Sequence, residues 1–160
     1  MGQILSLDEM RAERARLRVA GRRLVMTNGV FDLLHIGHTR YLAQARALGD
    51  ALLVAVNDDE GVQRLKGPQR PILPLAERLE LVAALAAVDY AVPFSEDTAA
   101  QVVRVLQPDI YVKGGDYTTK ALPEADIVAA YGGEVRLLTL IPARSTSDII
   151  RAIQTGTRLS

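Results

Sequence analysis

The stretch TNGVFDLLHIGHTRYL, residues 27–42, closes a short apolar run, LVMT at 24–27, with Asn28-Gly29. It then opens a segment whose apolar residues recur at helical spacing over 39–48 and which stops at Gly49. An apolar run cut off by a turn-forming pair and followed by a 3.6-residue period predicts strand, loop and helix in succession. Within the loop stand two histidines, His35 and His38, three positions apart around Gly37.

The same order continues on both sides of this unit. Upstream, Ser6 followed by Glu9 forms a capping box, and the charged segment 7–20 ends at Gly21, where a left-handed residue can close a helix. Downstream, ALLVAVN at 51–57 is apolar on both faces, as a central parallel strand covered by helices has to be. A polar connection through LKGPQRPILP follows, then an alanine- and leucine-rich helix over 75–88 and a short or edge strand, DYAVPF, at 89–94, since Pro93 has no amide to donate. Thr98 is expected to cap a helix to about residue 106. DIYVK at 109–113 reads as strand, GGDY as loop, 123–131 as helix and EVRLLTL at 134–140 as strand. Ser145 or Ser147 caps a last helix through residue 153. Alternating strands and helices predict one α/β domain over residues 1–160, with an N-terminal helix in 1–21 and a core over 22–160. The core is a doubly wound, Rossmann-like parallel sheet of about five strands with helices on both faces.

Bulk properties exclude several classes. Lysine plus arginine and aspartate plus glutamate each total 19, so the net charge is zero and no overall field draws in nucleic acid or an anionic membrane. Cysteine is absent, which removes thiolate nucleophiles, disulfides and cysteine-based zinc sites. The first ten residues lack the order of a signal peptide, and no apolar run approaches the roughly 18 residues that span a bilayer, so a cytoplasmic protein is expected.

In a doubly wound sheet ligands sit where a strand's carboxyl end feeds a helix whose first amides are unpaired. Residues 28–38 occupy that position. Gly29 and Gly37 let backbone approach a bound group, His38 falls in the first helical turn, and His35 reaches the same space. The pair reads as a phosphate clamp. On the residues alone, a helix cap with a packed neighbour reads as well. Zinc fits less, because its histidines usually stand four apart on one helix, and only Asp32 keeps a metal reading open.

TNGVFDLLHIGH resembles the H-x-G-H signature of the nucleotidyltransferase superfamily. Three further segments are similar to bacterial D-glycero-β-D-manno-heptose 1-phosphate adenylyltransferases: residues 64–98 (RLKGPQRPILPLAERLELVAALAAVDYAVPFSEDT), 108–117 (PDIYVKGGDY) and 144–150 (RSTSDII). The similarity covers residues 22–154. Ser147 departs from the family's usual Ser-Thr-Thr but keeps a hydroxyl. In many relatives a sugar kinase domain precedes this one, and its step is expected from a separate protein.

The resemblance implies transfer of AMP from ATP to a sugar 1-phosphate, with His35, His38 and Lys66 catalytic. Thr27, Asn28, Gly29, Phe31, Asp32, Gly37 and Arg78 are then nucleotide-binding, Lys66 and Arg70 hold the sugar phosphate, and the enzyme is a homodimer. Lys113, Gly115 and Asp116, at the end of a strand, are placed for the nucleotide, although an ordinary glycine turn accounts for them too. Arg144, Ser145 and Thr146 form a second amide-rich helix start with a cation beside it, or a simple cap. Asp32 is expected to orient its loop. Magnesium is expected to arrive on ATP, held by phosphate oxygens and water rather than by a protein cage. A phosphate monoester is already mostly ionised at neutral pH, its second pKa lying near ~6, so no general base is needed. The rival readings are a cytidylyltransferase acting on glycerol 3-phosphate and a non-catalytic nucleotide-binding module.

Overall fold

In the computed structural model, which describes residues 1–115, 122–138 and 145–158, the expected alternation is present and more regular than the sequence pattern suggests. The elements run β1 (Gln3–Ile4), α1 (Leu7–Val19), β2 (Leu24–Gly29), α2 (Ile36–Arg46), β3 (Ala51–Asn57), α3 (Asp59–Lys66), α4 (Leu75–Ala83), β4 (Tyr90–Phe94), α5 (Ala100–Leu106), β5 (Ile110–Gly114), α6 (Ala125–Ala130), β6 (Glu134–Leu138) and α7 (Thr146–Thr155). The strands form one parallel sheet in the order β1-β4-β3-β2-β5-β6.

Alternation along the central strands builds two cores. Leu24, Met26, Leu53 and Ala55 face a cluster with Met10 and Leu17 of α1 and Val102, Val103 and Leu106 of α5. Val25, Leu52, Val54 and Val56 face the opposite cluster, with Leu42 and Ala45 of α2 and Leu79, Val82 and Ala83 of α4. Every residue of β3 is buried, as its two-sided apolar sequence requires. Aspartates at the strands' amino ends fix the register: carboxylates of Asp50, Asp89 and Asp109 accept the amides of Arg23, Leu52 and Leu24 at 2.7, 2.8 and 2.7 Å.

Several boundaries differ from expectation. The sheet has six strands, not five, because Gln3–Ile4 pairs with Tyr90 and Ala91 of β4. Two residues are too few to carry a period. The polar connection after β3 begins with a helix, α3, capped by Asp58, whose carboxylate accepts the Gly61 amide at 2.7 Å. Helix α4 ends at Ala83 rather than near residue 88. Thr98 is not the cap of α5: Ala99 holds that position, and the carboxylate of Glu124 takes the Ala99 amide at 3.1 Å. Residues 139–140 of the expected last strand lie outside the described residues. The Ser6–Glu9 capping box, Gly21 at φ 66° and the Ser145 cap are present where the sequence puts them.

Candidate functional site

The chain leaves β2 towards β3 and leaves β5 towards β6, on opposite sides, so the carboxyl ends of β2 and β5 form the switch point of the sheet. A cleft of about 430 Å³ opens there, from Lys113 and Gly114 past Asn28, Gly29, Val30 and Phe31 to Asn57, Lys66 and Asp97. Helix α2 starts against it. His35 is the N-cap, and its Nδ1 accepts the Gly37 amide at 3.2 Å, so the proton of the neutral ring lies on Nε2. His38, in the first turn, stacks on His35 with centroids 3.9 Å apart at 27°, and Phe31 packs on it at 5.2 Å and 55°. Phe31 holds φ at +48°, and a Cβ at Gly29 would stand 2.9 Å from its ring, so glycine at 29 is a packing requirement.

Burial lowers the pKa of His38 to about 4, and the neighbouring His35 adds to the effect. His35 is also lowered by burial, against the pull of Asp148. Both rings are neutral near pH 7 while no anion is bound. Nδ1 of His38 is buried without a partner, and a proton there would be an unpaired buried donor. The proton therefore belongs on Nε2, and His38 lines the cleft as a single-donor imidazole.

Other expected site residues stand behind the cleft. Asp32, 1 % exposed, accepts the Arg70 guanidinium at 2.6 Å and the amides of Ile72 and Leu73 at 2.8 and 2.9 Å. Burial alone would push its carboxyl up, but the amides of Leu73 and Ile72 with Arg70 outweigh that and hold it below the usual carboxylate range. It orients the 70–73 loop, and Arg70 is turned inward upon it. Arg78 is fully buried beneath the site: Nε reaches Leu73 O at 3.0 Å, Nη1 the carbonyls of Val30 and Asn57 at 2.7 and 2.8 Å, and Nη2 Asp59 at 2.6 Å. Thr27, also buried, bonds Tyr41 Oη at 2.7 Å, and Tyr41 donates to Val112 O at 3.2 Å, linking β2, α2 and β5. Asn28 Oδ1 accepts Tyr111 Oη at 2.6 Å.

Lys66 ends α3 at the cleft wall, in a helix rather than the expected loop. Lys113 ends β5 opposite, its Nζ 5.8 Å from the Tyr111 ring centroid. Burial lowers its pKa, opposed by Glu124. Gly115 follows at φ 120° with its amide on Leu138 O at 3.2 Å. Ser145 and Asp148 close a capping box at α7, and Thr146 Oγ1 donates to Leu33 O at 3.2 Å, which brings the α7 start to the histidine loop. Asp116 and Arg144 lie outside the described residues. Among the described residues no group of three or more His, Asp or Glu side chains converges as a metal cage. His35 stacks behind His38 and is not in the cleft lining; the cleft offers amides, the His38 imidazole and the ammonium groups of Lys66 and Lys113 against the single carboxylate of Asp97, a donor set for an anion rather than a bare cation.

Sequence reasoning missed Tyr41, Asn57 and Asp97. Tyr41 had a signal, three residues beyond His38 on one helix face. So had Asn57, a polar end to a fully apolar strand. Asp97, in a short polar loop, had none.

The sheet order and the histidine-bearing helix start at its switch point define a nucleotidyltransferase fold, Rossmann-like and parallel. The chain belongs to the cytidylyltransferase-like family, whose model matches residues 26–152. It is 50 % identical over 151 residues to the "Bifunctional protein HldE" of Ectopseudomonas mendocina (strain ymp), covering 94 % of this chain and 32 % of that protein. It is 56 % identical over 137 residues to the protein of the same name from Nitrosococcus oceani, covering 86 % and 29 %. The chain thus spans about a third of the length of these curated relatives. Among solved structures it resembles the lipopolysaccharide core biosynthesis protein from Thermoplasma volcanium GSS1, with TM-score 0.61 and 33 % identity over 76 % of this chain and 98 % of that one. No described helix is long and apolar enough to cross a membrane.

Proposed function

We propose that the domain transfers AMP from ATP to D-glycero-β-D-manno-heptose 1-phosphate, giving ADP-heptose and pyrophosphate by direct in-line attack. One observation carries the reading: His38 at the start of α2, stacked on the capping His35, lines a switch-point cleft flanked by Lys66 and Lys113. An oxygen of the sugar 1-phosphate attacks the α-phosphorus as the bond to the bridging oxygen of pyrophosphate breaks. Charge growing on the α-phosphoryl oxygens is met by Nε2–H of His38, the amides at 28–30 and the helix dipole of α2. Lys66 and Lys113 compensate the anions on either side. No residue needs to remove a proton, because the nucleophile is already ionised. Magnesium comes bound to the triphosphate and supplies charge compensation there.

The part of the solved Thermoplasma volcanium neighbour in lipopolysaccharide core biosynthesis supports the sugar substrate, and the family's cytidylyltransferase description keeps CTP as the comparison nucleotide. A sugar kinase supplies the 1-phosphate. In the relatives named bifunctional about two thirds of the polypeptide lies outside the part this chain matches. The enzyme works in the cytoplasm and as a homodimer; exposed Leu81 and Ile153, at 42 % and 72 %, offer apolar surface for the dimer, and light scattering on the purified protein measures the oligomeric state.

The test is a panel of ATP and CTP against heptose 1-phosphate and glycerol 3-phosphate with pyrophosphate detection. ATP with heptose 1-phosphate is expected to be turned over best. Efficient use of CTP with glycerol 3-phosphate, or nucleotide binding without turnover, overturns the reading.

A further inference from the structure

The cleft crosses the carboxyl ends of four strands: Lys113 and Gly114 at β5, Asn28 and Gly29 at β2, Asn57 at β3, and Asp97 just beyond β4. From β5 to β4 is three strand spacings of about 4.8 Å, roughly 14 Å, enough for two reactants side by side. A nucleotide at the switch point takes the β2 and β5 end, where α2 also points its first turn. The acceptor is left with the β3 and β4 end, walled by Asn57, Leu65, Lys66 and Asp97.

Lys66 suits an acceptor phosphate. Asp97 does not: among the described residues lining the cleft it is the only carboxylate, and beside two polyanions its charge is repulsive. It is nonetheless partnered, in an ion pair open to solvent, with the two side chains 46 % and 69 % exposed. Arg64 Nε binds Asp97 Oδ1 at 2.7 Å, and Arg64 Nη2 binds Ser95 O at 2.5 Å, clasping α3 to the loop after β4. Gly61 serves the α3 cap rather than this clasp, since a Cβ there would stand 2.9 Å from Asp58 Oδ1 but in ordinary contact, 3.5 Å, with Arg64 Nη2. A carboxylate accepts hydrogen bonds and offers none, and hydroxyl groups are the donors that an anionic acceptor can present to it.

We infer that Asp97 accepts hydrogen bonds from the hydroxyls of a polyhydroxylated acceptor phosphate and so sets the preference for a sugar phosphate over small, hydroxyl-poor phosphate esters. This deepens the adenylyl-transfer reading of the cleft and rests on it. The Arg64 pair orients the carboxylate before substrate arrives, which lowers the ordering cost of binding. A site built to bond a hydroxyl rejects the analogue lacking it far more strongly than an apolar pocket does.

The experiment measures kcat/KM with ATP for heptose 1-phosphate and for ethyl phosphate, in the wild type, Asp97→Ala and Asp97→Asn. Asp97→Ala is expected to lower the ratio of the two acceptors roughly 10- to 100-fold through a raised KM for the sugar, with KM for ATP unchanged. Asp97→Asn, which keeps an acceptor oxygen for Arg64, shifts the ratio in the same direction and serves if the alanine variant fails to fold. A ratio that holds, with both acceptors and ATP weakened alike, means that Asp97 only tethers α3 and overturns the inference while leaving adenylyl transfer standing. Wild-type protein that releases no pyrophosphate with any sugar phosphate removes adenylyl transfer itself, and the role of Asp97 with it.

Discussion

His38 shows how one side chain serves folding badly and chemistry well. Its ring is wedged between His35 and Phe31, with one nitrogen buried unpaired and its pKa near 4. Between pH 6.5 and about 4 the unfolded chain binds a proton at this position that the folded chain refuses, so stability falls as pH drops through that window. His38→Asn is expected to flatten this part of the curve, read as the urea midpoint measured from pH 7 to pH 4. His38→Ala should lower kcat about 100- to 1000-fold, as loss of a preorganised donor does, while circular dichroism and the unfolding midpoint stay close to wild type. Nucleotide binding should raise the pKa of His38, because phosphate oxygens favour the charged ring, and histidine proton shifts titrated with and without a nonhydrolysable ATP analogue measure that rise.

Among the elements, α3 and α4 carry the site without forming its face. Arg78 of α4 bonds carbonyls from the β2 loop, the end of β3 and the 73 position, and also Asp59 of α3. Replacing it by leucine leaves three buried or part-buried carbonyl oxygens without their donor and is expected to cost on the order of 3 kcal/mol, read from the urea midpoint. Asp59→Asn, on the 41 % exposed partner, should cost under about 1 kcal/mol. None of this was legible in LAERLEL: an arginine on a helix reads as solvated, and its partners are backbone atoms of residues 30, 57 and 73 and the Asp59 carboxylate. The histidine helix was legible because an apolar strand ends on Asn28-Gly29 and a capping residue follows. Helix α3 was hidden because DEGVQRLK buries only Gly61 and Val62, too little for an apolar stripe, and its glycine argues against a helix until the close approach of the capping Asp58 carboxylate is known.

For the whole molecule, zero net charge leaves the cleft to attract its anions locally, by Lys66, Lys113 and the α2 start. A nucleotide at 100 times its dissociation constant should stabilise the fold by about 2.7 kcal/mol. At roughly 2–4 °C per kcal/mol for a chain of this size, Tm should rise about 5–10 °C in a thermal melt with Mg-ATP. The same melt on a His35→Ala, His38→Ala double variant is expected to show little shift. The doubly wound architecture was readable from strand and helix alternation, whereas the sixth strand was not, being only Gln3 and Ile4. That small strand has a consequence for colloidal behaviour. Its pairing with β4 ends opposite Ala91, and two residues further along β4 stands Pro93, which has no amide to offer an incoming chain. At the opposite border, among the described residues, β6 alternates Glu134 and Arg136 with apolar neighbours. Both borders are poor templates for recruiting foreign strands, so concentrated solutions should stay free of fibrillar by-products.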